Sequence, residues 1–191
     1  GRIHLAIRHA PLPGVTPEML AWWYRVLPLG QVEFDGALRP LYHLFHPTEH
    51  GRIWIDEPAA DGRPGVGAGG VVARFEWFGP YDSQGAARVI ELSSQRFVSR
   101  PKRAGVSFGE IRHEWHASPQ GAQYEVDTVI GVDWPVIGPL ANALLRRFVF
   151  SEGMLHEWQR HQVEEVGLLQ HFLPQLYAQR NERNIYVLPE E

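Results

Sequence analysis

With 44% hydrophobic and 12% aromatic residues, a chain of 191 residues can bury a real core; a single domain over 1–191, with its core at about 16–178, is the default expectation. A net charge of −4 without a basic run argues against a nucleic-acid partner, and no stretch approaches the roughly 20 apolar residues of a membrane helix, so no membrane partner is expected. The absence of cysteine excludes disulfides and thiol catalysis; no signal peptide is visible, and a cytoplasmic location is the expectation.

In chain order, residues 17–27 read as a short helix, with Thr16 placed to cap it, Pro17 at its first position, and Pro28 and Gly30 to stop it. Residues 41–46 read as a short extended segment broken by Pro47, and 52–55 as a strand. Residues 58–70, PAADGRPGVGAGG, form a Gly/Pro-rich loop that lacks the GxxxxGK spacing of a phosphate loop. Residues 71–78 are a strong strand, and 86–97 read as another. Residues 106–116 and 123–130 flank the turn sequence ASPQG and predict a hairpin. From about Pro139 to about Tyr177 the pattern is helical, with an irregularity near Ser151. Helix, antiparallel strands, then a long terminal helix define an α+β class. A curved sheet wrapped around that helix would enclose a cavity between them.

The terminal helix carries the most informative pair. In EGMLHEWQRHQVEEVGLLQHFLP, Met154, Trp158, Leu168 and Phe172 mark a buried stripe, and its two remaining positions are His161 and Glu165. Glu157, Arg160 and Glu164 take the opposite face. A core carboxylate costs several kcal/mol unless it is paired or binds a metal. At spacing i, i+4 both groups reach one point from one side of the helix. The pair is therefore either a buried hydrogen bond that pins the helix or half of a metal site. Ten histidines and no cysteine suit an ion held by nitrogen and oxygen, such as zinc.

Other residues able to carry chemistry are more ambiguous. His43, His46 and His50, beside Tyr42, include one further candidate ligand, and the other two read as surface turn residues. Pro47 resets the register, so alternation does not choose among them. In the hairpin, alternation turns Ile111, His113 and Trp115 inward, facing Tyr124, Val126, Thr128 and Ile130, with Arg112, Glu114 and His116 outward. His113 and Tyr124 are then either groups that move protons and hold a phenol, or ordinary core residues. In VVARFEWF the apolar set Val71, Ala73, Phe75 and Trp77 puts Glu76 beside Arg74 on the other face, where an Arg-paired, solvated glutamate is expected. Seven Trp and nine Phe either line a cavity for a flat apolar ligand or simply fill the core. No GxSxG, HExxH, dinucleotide-binding or kinase pattern is present.

HQVEEVGLLQHFLPQLY, with YHLFHPTEH and ARFEWFG before it, resembles the 2,4-diacetylphloroglucinol hydrolase family, which includes phloretin hydrolase relatives. The resemblance spans residues 16–178. It implies a Bet v 1-like, helix-grip fold, one zinc ion, and hydrolysis of the carbon–carbon bond between an acyl group and a polyhydroxylated phenolic ring. A phenolic ketone is the implied small-molecule partner; the oligomeric state, a homodimer among the options, stays open. Residue by residue, it assigns the metal to His50, Glu76, His161 and Glu165, which overrides the outward reading of Glu76 and requires a bulge or a polar inner face. It assigns phenol contacts to Tyr42 and Tyr124, and a catalytic histidine to His113, with His116 second. His46 in place of His50 is the main alternative ligand. A carrier for an apolar aromatic ligand, with a structural metal, is the alternative function. The chain is shorter than the family's longer members, so their N-terminal domain is not expected in it, and it carries Glu49 where the motif usually has Asp.

Overall fold

The computed structural model describes residues 1–34, 36–103, 105–181 and 185–188. Strand β1 (Ile3–Arg8) opens the chain, and helix α1 (Pro17–Val26) follows; the Thr16 hydroxyl accepts from the Met19 amide at 3.4 Å, and Pro stands in its first turn. Strands β2 (Gln31–Phe34) and β3 (Ala37–Pro40) lead into a five-residue helix α2 (Leu41–Phe45), and β4 (His50–Glu57) comes after it. Next are β5 (Val71–Phe78), β6 (Tyr81–Leu92), β7 (Arg96–Arg103), the short β8 (Val106–Ser107), β9 (Gly109–Ser118) and β10 (Gly121–Ile130). Helices α3 (Gly138–Phe148) and α4 (Glu152–Ala178) and strand β11 (Ile185–Val187) complete the order.

The main sheet runs β1-β10-β9-β7-β6-β5-β4, with β8 paired to β7, and every pairing in it is antiparallel. It bends at bulges between His50 and Arg52, Ile55 and Glu57, and Val89 and Glu91, where an extra residue kinks one strand. Helix α4 lies against it and buries Trp158, His161, Glu165, Val166, Leu169, Phe172 and Leu176. Ser151 caps this helix by accepting from the Met154 amide at 3.2 Å, which accounts for the irregularity expected there. The described residues thus form a curved antiparallel sheet gripping a long helix, the fold class expected from the order of elements.

Four expectations are corrected. The core does not begin at residue 16, because β1 pairs with β10 from Ile3 onward. The sheet is not single: β11, β2 and β3 form a second, three-stranded one whose β11–β2 pairing is parallel. Residues 41–45 are helical rather than extended, turning Leu41, Tyr42 and Phe45 inward together. Residues 86–97 span two strands, joined where the Ser93 amide donates to the Arg96 carbonyl at 2.9 Å.

Candidate metal centre and cavity

Two local pairings build the centre. Register places His50 directly opposite Glu76 across β4 and β5, while His161 and Glu165 lie one turn apart on α4. The bulge beside His50 falls at Gly51, where a Cβ would stand 3.0 Å from both the Phe75 ring and its carbonyl oxygen. Glycine there lets β4 bend tightly over β5.

The four side chains converge. His50 Nε2 lies 3.1 Å from His161 Nε2, 3.3 Å from Glu165 Oε2 and 3.8 Å from Glu76 Oε1, and His161 Nε2 lies 3.5 Å from Glu165 Oε2. Ligands about 2.0–2.1 Å from one tetrahedral ion are separated by about 3.3 Å. The spacing of His50, His161 and Glu165 therefore fits one shared ion, and Glu76 groups with the same two histidines, the ligand atoms all within 4.8 Å of one another. All four residues are buried.

The atoms turned away from that point are also held. His50 Nδ1 is 2.8 Å from the Tyr42 carbonyl, which accepts its proton and leaves Nε2 free to ligate. His161 Nδ1 is 2.8 Å from Glu49 Oε2, a carboxylate that orients the ring. Glu49 in turn accepts from the Gly79 amide at 3.0 Å and from Arg160. Glu76 accepts from Arg74 Nε at 2.6 Å and from the Tyr42 hydroxyl. Gln162 donates to Glu165, and its own Oε1 is buried without a partner among the described residues.

Charge follows this geometry. Burial alone would push the Glu165 carboxyl up, but the His161 and His50 rings reverse the sign and hold it well below the usual carboxylate range. Burial likewise opposes ionisation of Glu76 and is overcome by Arg74, His50 and His161. Burial also opposes protonation of His161, yet Glu165, Glu76 and Glu49 raise it to about 9. A proton on His161 offsets negative charge where a dication would do the same.

His46, the alternative ligand, is buried as well, so the three clustered histidines are not mostly surface residues. It stacks on His161 with ring centroids 4.4 Å apart, its Nε2 facing Glu164 Oε2 at 3.0 Å. With Glu49 and His161 it makes a second group of ligand-type atoms, on the opposite side of His161 from Glu165. His43 donates to or accepts nothing from either group; its Nε2 faces the Gly51 carbonyl at 2.9 Å.

Glu76 overturns the amphipathic reading of β5. No bulge interrupts the β5–β6 ladder; the inner face itself is polar, with Arg74 and Glu76 between buried Val72 and Phe78. Phe75 and Trp77 lie on the outer face, packed edge to face at 4.7 Å.

Glu76 and Glu165 line an internal cavity of about 90 Å³, together with Tyr42, Arg74, His113 and Gln162. Arg74, Ile111 and Trp158 also line an adjoining pocket of about 410 Å³, walled by aromatic residues including Phe78, Phe108 and Phe150. Across the small cavity, alternation in β9 and β10 holds: His113, Trp115, Tyr124, Val126 and Thr128 are buried, while Arg112 and His116 are exposed. Tyr124, expected to touch a phenol, is fully buried behind this wall and does not line the cavity. Tyr24 of α1 does line it, and its hydroxyl is hydrogen-bonded to that of Tyr124. The sequence gives no sign of a role for Tyr24 or Gln162, and marks Glu49 only as the residue at the motif's Asp position. Tyr24 sits in an apolar helix run that reads as plain core, whereas Gln162 directly follows a candidate ligand.

No family model matches the chain, and no curated protein matches it. Among solved structures, a START superfamily protein from Mycobacterium smegmatis is similar at 15% identity and a TM-score of 0.51, over 87% of this chain and 94% of that one. Ara h 8.0201 is similar at 10% identity and a TM-score of 0.52, over 91% and 97%. The solution structure of the KanY protein (ms6282) gives 12% and 0.52, over 91% and 98%. Likeness at such identities shows the fold, which is Bet v 1-like helix-grip. No helix among the described residues is long and apolar enough to cross a membrane.

Proposed function

We propose that this chain takes a flat phenolic ligand and, with zinc at His50, Glu76, His161 and Glu165, hydrolyses the carbon–carbon bond joining an acyl group to the ring. The observation that carries this reading is the position of two carboxylates that line the cavity: Glu76, which groups with His50 and His161 as ligand-type atoms, and Glu165, whose Oε2 lies 3.3 Å from His50 Nε2. A structural ion is closed off by its ligands, whereas a catalytic one meets the substrate space. When bound, such an ion supplies Lewis-acid polarisation of the ketone and a more acidic water.

The chain's own groups supply the rest. The small cavity has room for about three waters, less than an acylated phenol needs, and the 410 Å³ pocket falls in the range of drug-sized ligands. The hydroxylated ring edge belongs in the first and the apolar body in the second. Gln162 Oε1 offers an unpaired acceptor to a phenolic hydroxyl. Burial lowers His113 to about 4, so it meets the ring carbon as a neutral imidazole. Tyr42 holds two ligands in place, through its carbonyl and its hydroxyl, rather than presenting a free phenol.

A carrier for an apolar aromatic ligand is the second reading. The fold likeness and the aromatic pocket support ligand binding more directly than they support chemistry. One experiment separates the two. Protein purified without added zinc is analysed for metal, then assayed on acylphloroglucinols before and after chelation. Release of a carboxylic acid and a deacylated phenol, lost on chelation, supports the hydrolase. Binding without acid release by zinc-loaded protein establishes the carrier.

A further inference from the structure

We infer that Tyr24, Tyr124 and His113 form a proton relay with both ends at the cavity, and that Tyr24 is the residue meeting the ligand's phenolic oxygen. The inference rests on the hydrolase reading above. The chain of contacts is continuous: the Tyr24 and Tyr124 hydroxyls are hydrogen-bonded, and the Tyr124 hydroxyl lies 2.9 Å from His113 Nδ1. Tyr24 and His113 line the cavity, while Tyr124 is 0% exposed and links them from behind. Among the described residues His113 Nε2 has no hydrogen-bond partner, which leaves it for the cavity side.

The three groups come from three elements and are held rigidly. Tyr24 stacks between Phe97 at 4.8 Å and Trp115 at 5.6 Å; His113 stacks on Phe97 at 5.7 Å. Burial keeps both phenols protonated and the imidazole neutral. A chain of neutral donors and acceptors hands a proton along without leaving a buried charge.

The reaction needs such a transfer. Before the carbon–carbon bond can break, a phenolic O–H must become a C–H at the acyl-bearing ring carbon. The phenolic proton passes to the Tyr24 oxygen, the Tyr24 proton to Tyr124, and the Tyr124 proton to His113 Nδ1. His113 Nε2 gives its proton to the ring carbon. The O–H electron pair becomes the new C=O π bond, and a ring π pair forms the C–H bond. After water, having lost one proton to solvent, adds to the ketone, the acyl–ring bond breaks and its electrons restore the aromatic phenolate. The relay then runs backward: the phenolate regains a proton from Tyr24, and His113 Nε2 takes the proton of the released acid. Every group ends as it began.

The test uses Tyr124→Phe and Tyr24→Phe in zinc-loaded protein with an acetylated phloroglucinol. Both substitutions keep the ring and its packing. Tyr124 touches no ligand, so Tyr124→Phe should lower kcat by about 10²-fold while KM and zinc content stay near the wild-type values. A proton inventory in mixed H2O and D2O should be curved for the wild type, reporting several protons in flight, and linear for Tyr124→Phe. Tyr24→Phe should lower kcat and also raise KM. If Tyr124→Phe does not fold, Tyr24→Phe carries the same kcat and inventory test. Wild-type turnover with both variants equal to it, inventory included, overturns the relay alone. A zinc-loaded wild type that releases no acid overturns the hydrolase reading, and the relay with it.

Discussion

One wall of the cavity carries Glu76 and Glu165, with His161 beside Glu165 but outside the lining, and another carries the neutral His113. His161 and His113 are 1% and 7% exposed, and burial pushes both imidazoles toward the neutral form. His161 nonetheless rises to about 9, because Glu165, Glu76 and Glu49 surround it. His113 falls to about 4, because burial dominates there: Glu165 pulls it up only in part, and His9 and Arg74 push it further down. Burial lowers both, and neighbouring carboxylates reverse the sign only at His161. One wall is built to hold a cation, and the other to pass protons between neutral groups.

The most direct way to break this contrast is at the charged wall. His161→Ala should remove most of the bound zinc, read by elemental analysis; one full equivalent in that variant would refute the assignment. The neutral wall predicts acid sensitivity. A histidine lowered from 6.5 to about 4 stabilises the fold fully above pH 6.5, and that stability is lost as pH falls toward 4, because the unfolded chain binds the proton first. The loss should be about 3 kcal/mol. Denaturant unfolding of the wild type and His113→Asn at several pH values measures it as the difference between the two profiles; parallel profiles would refute it.

Glu49→Gln sharpens the role of the orienting carboxylate. It keeps the shape but weakens the hydrogen bond to His161 Nδ1, and zinc affinity should fall about 10- to 100-fold by competition with a chromophoric chelator. The smallest effect lies outside both walls. Ser151→Ala removes the α4 cap and should cost about 1 kcal/mol in denaturant unfolding, with zinc content unchanged.

Legibility in the sequence followed the range of the interaction. His161 and Glu165 stood out because a helix repeats every few residues and a charge in its apolar stripe is locally anomalous. His113 and Tyr124 were sorted correctly because β9 and β10 form a tight hairpin with one dry face. Glu76 was misread because alternation shows only that two faces differ; here Arg74 and Glu76 face inward and two aromatic rings face out. Helix α2 is too short to show a period. Strand β11 finds its partner β2 far back in the chain, with no turn between them to announce the pairing. Tyr24 looks like core because it is core; only the position of its hydroxyl gives it a further role.

The pairing of His50 with Glu76 has a mechanical consequence. Strand β4 is one of the two edge strands of the main sheet, paired in it to β5 alone, so its free side is a place where the sheet can fray. Two of the four proposed ligands sit on this strand and its neighbour, and the other two on the helix above. An ion shared among them would stitch the fraying edge to the most deeply buried helix. Amide hydrogens of β4 should therefore exchange more slowly in zinc-loaded protein than in chelated protein, while those of β9 and β10, at the far side of the sheet, keep the same rate.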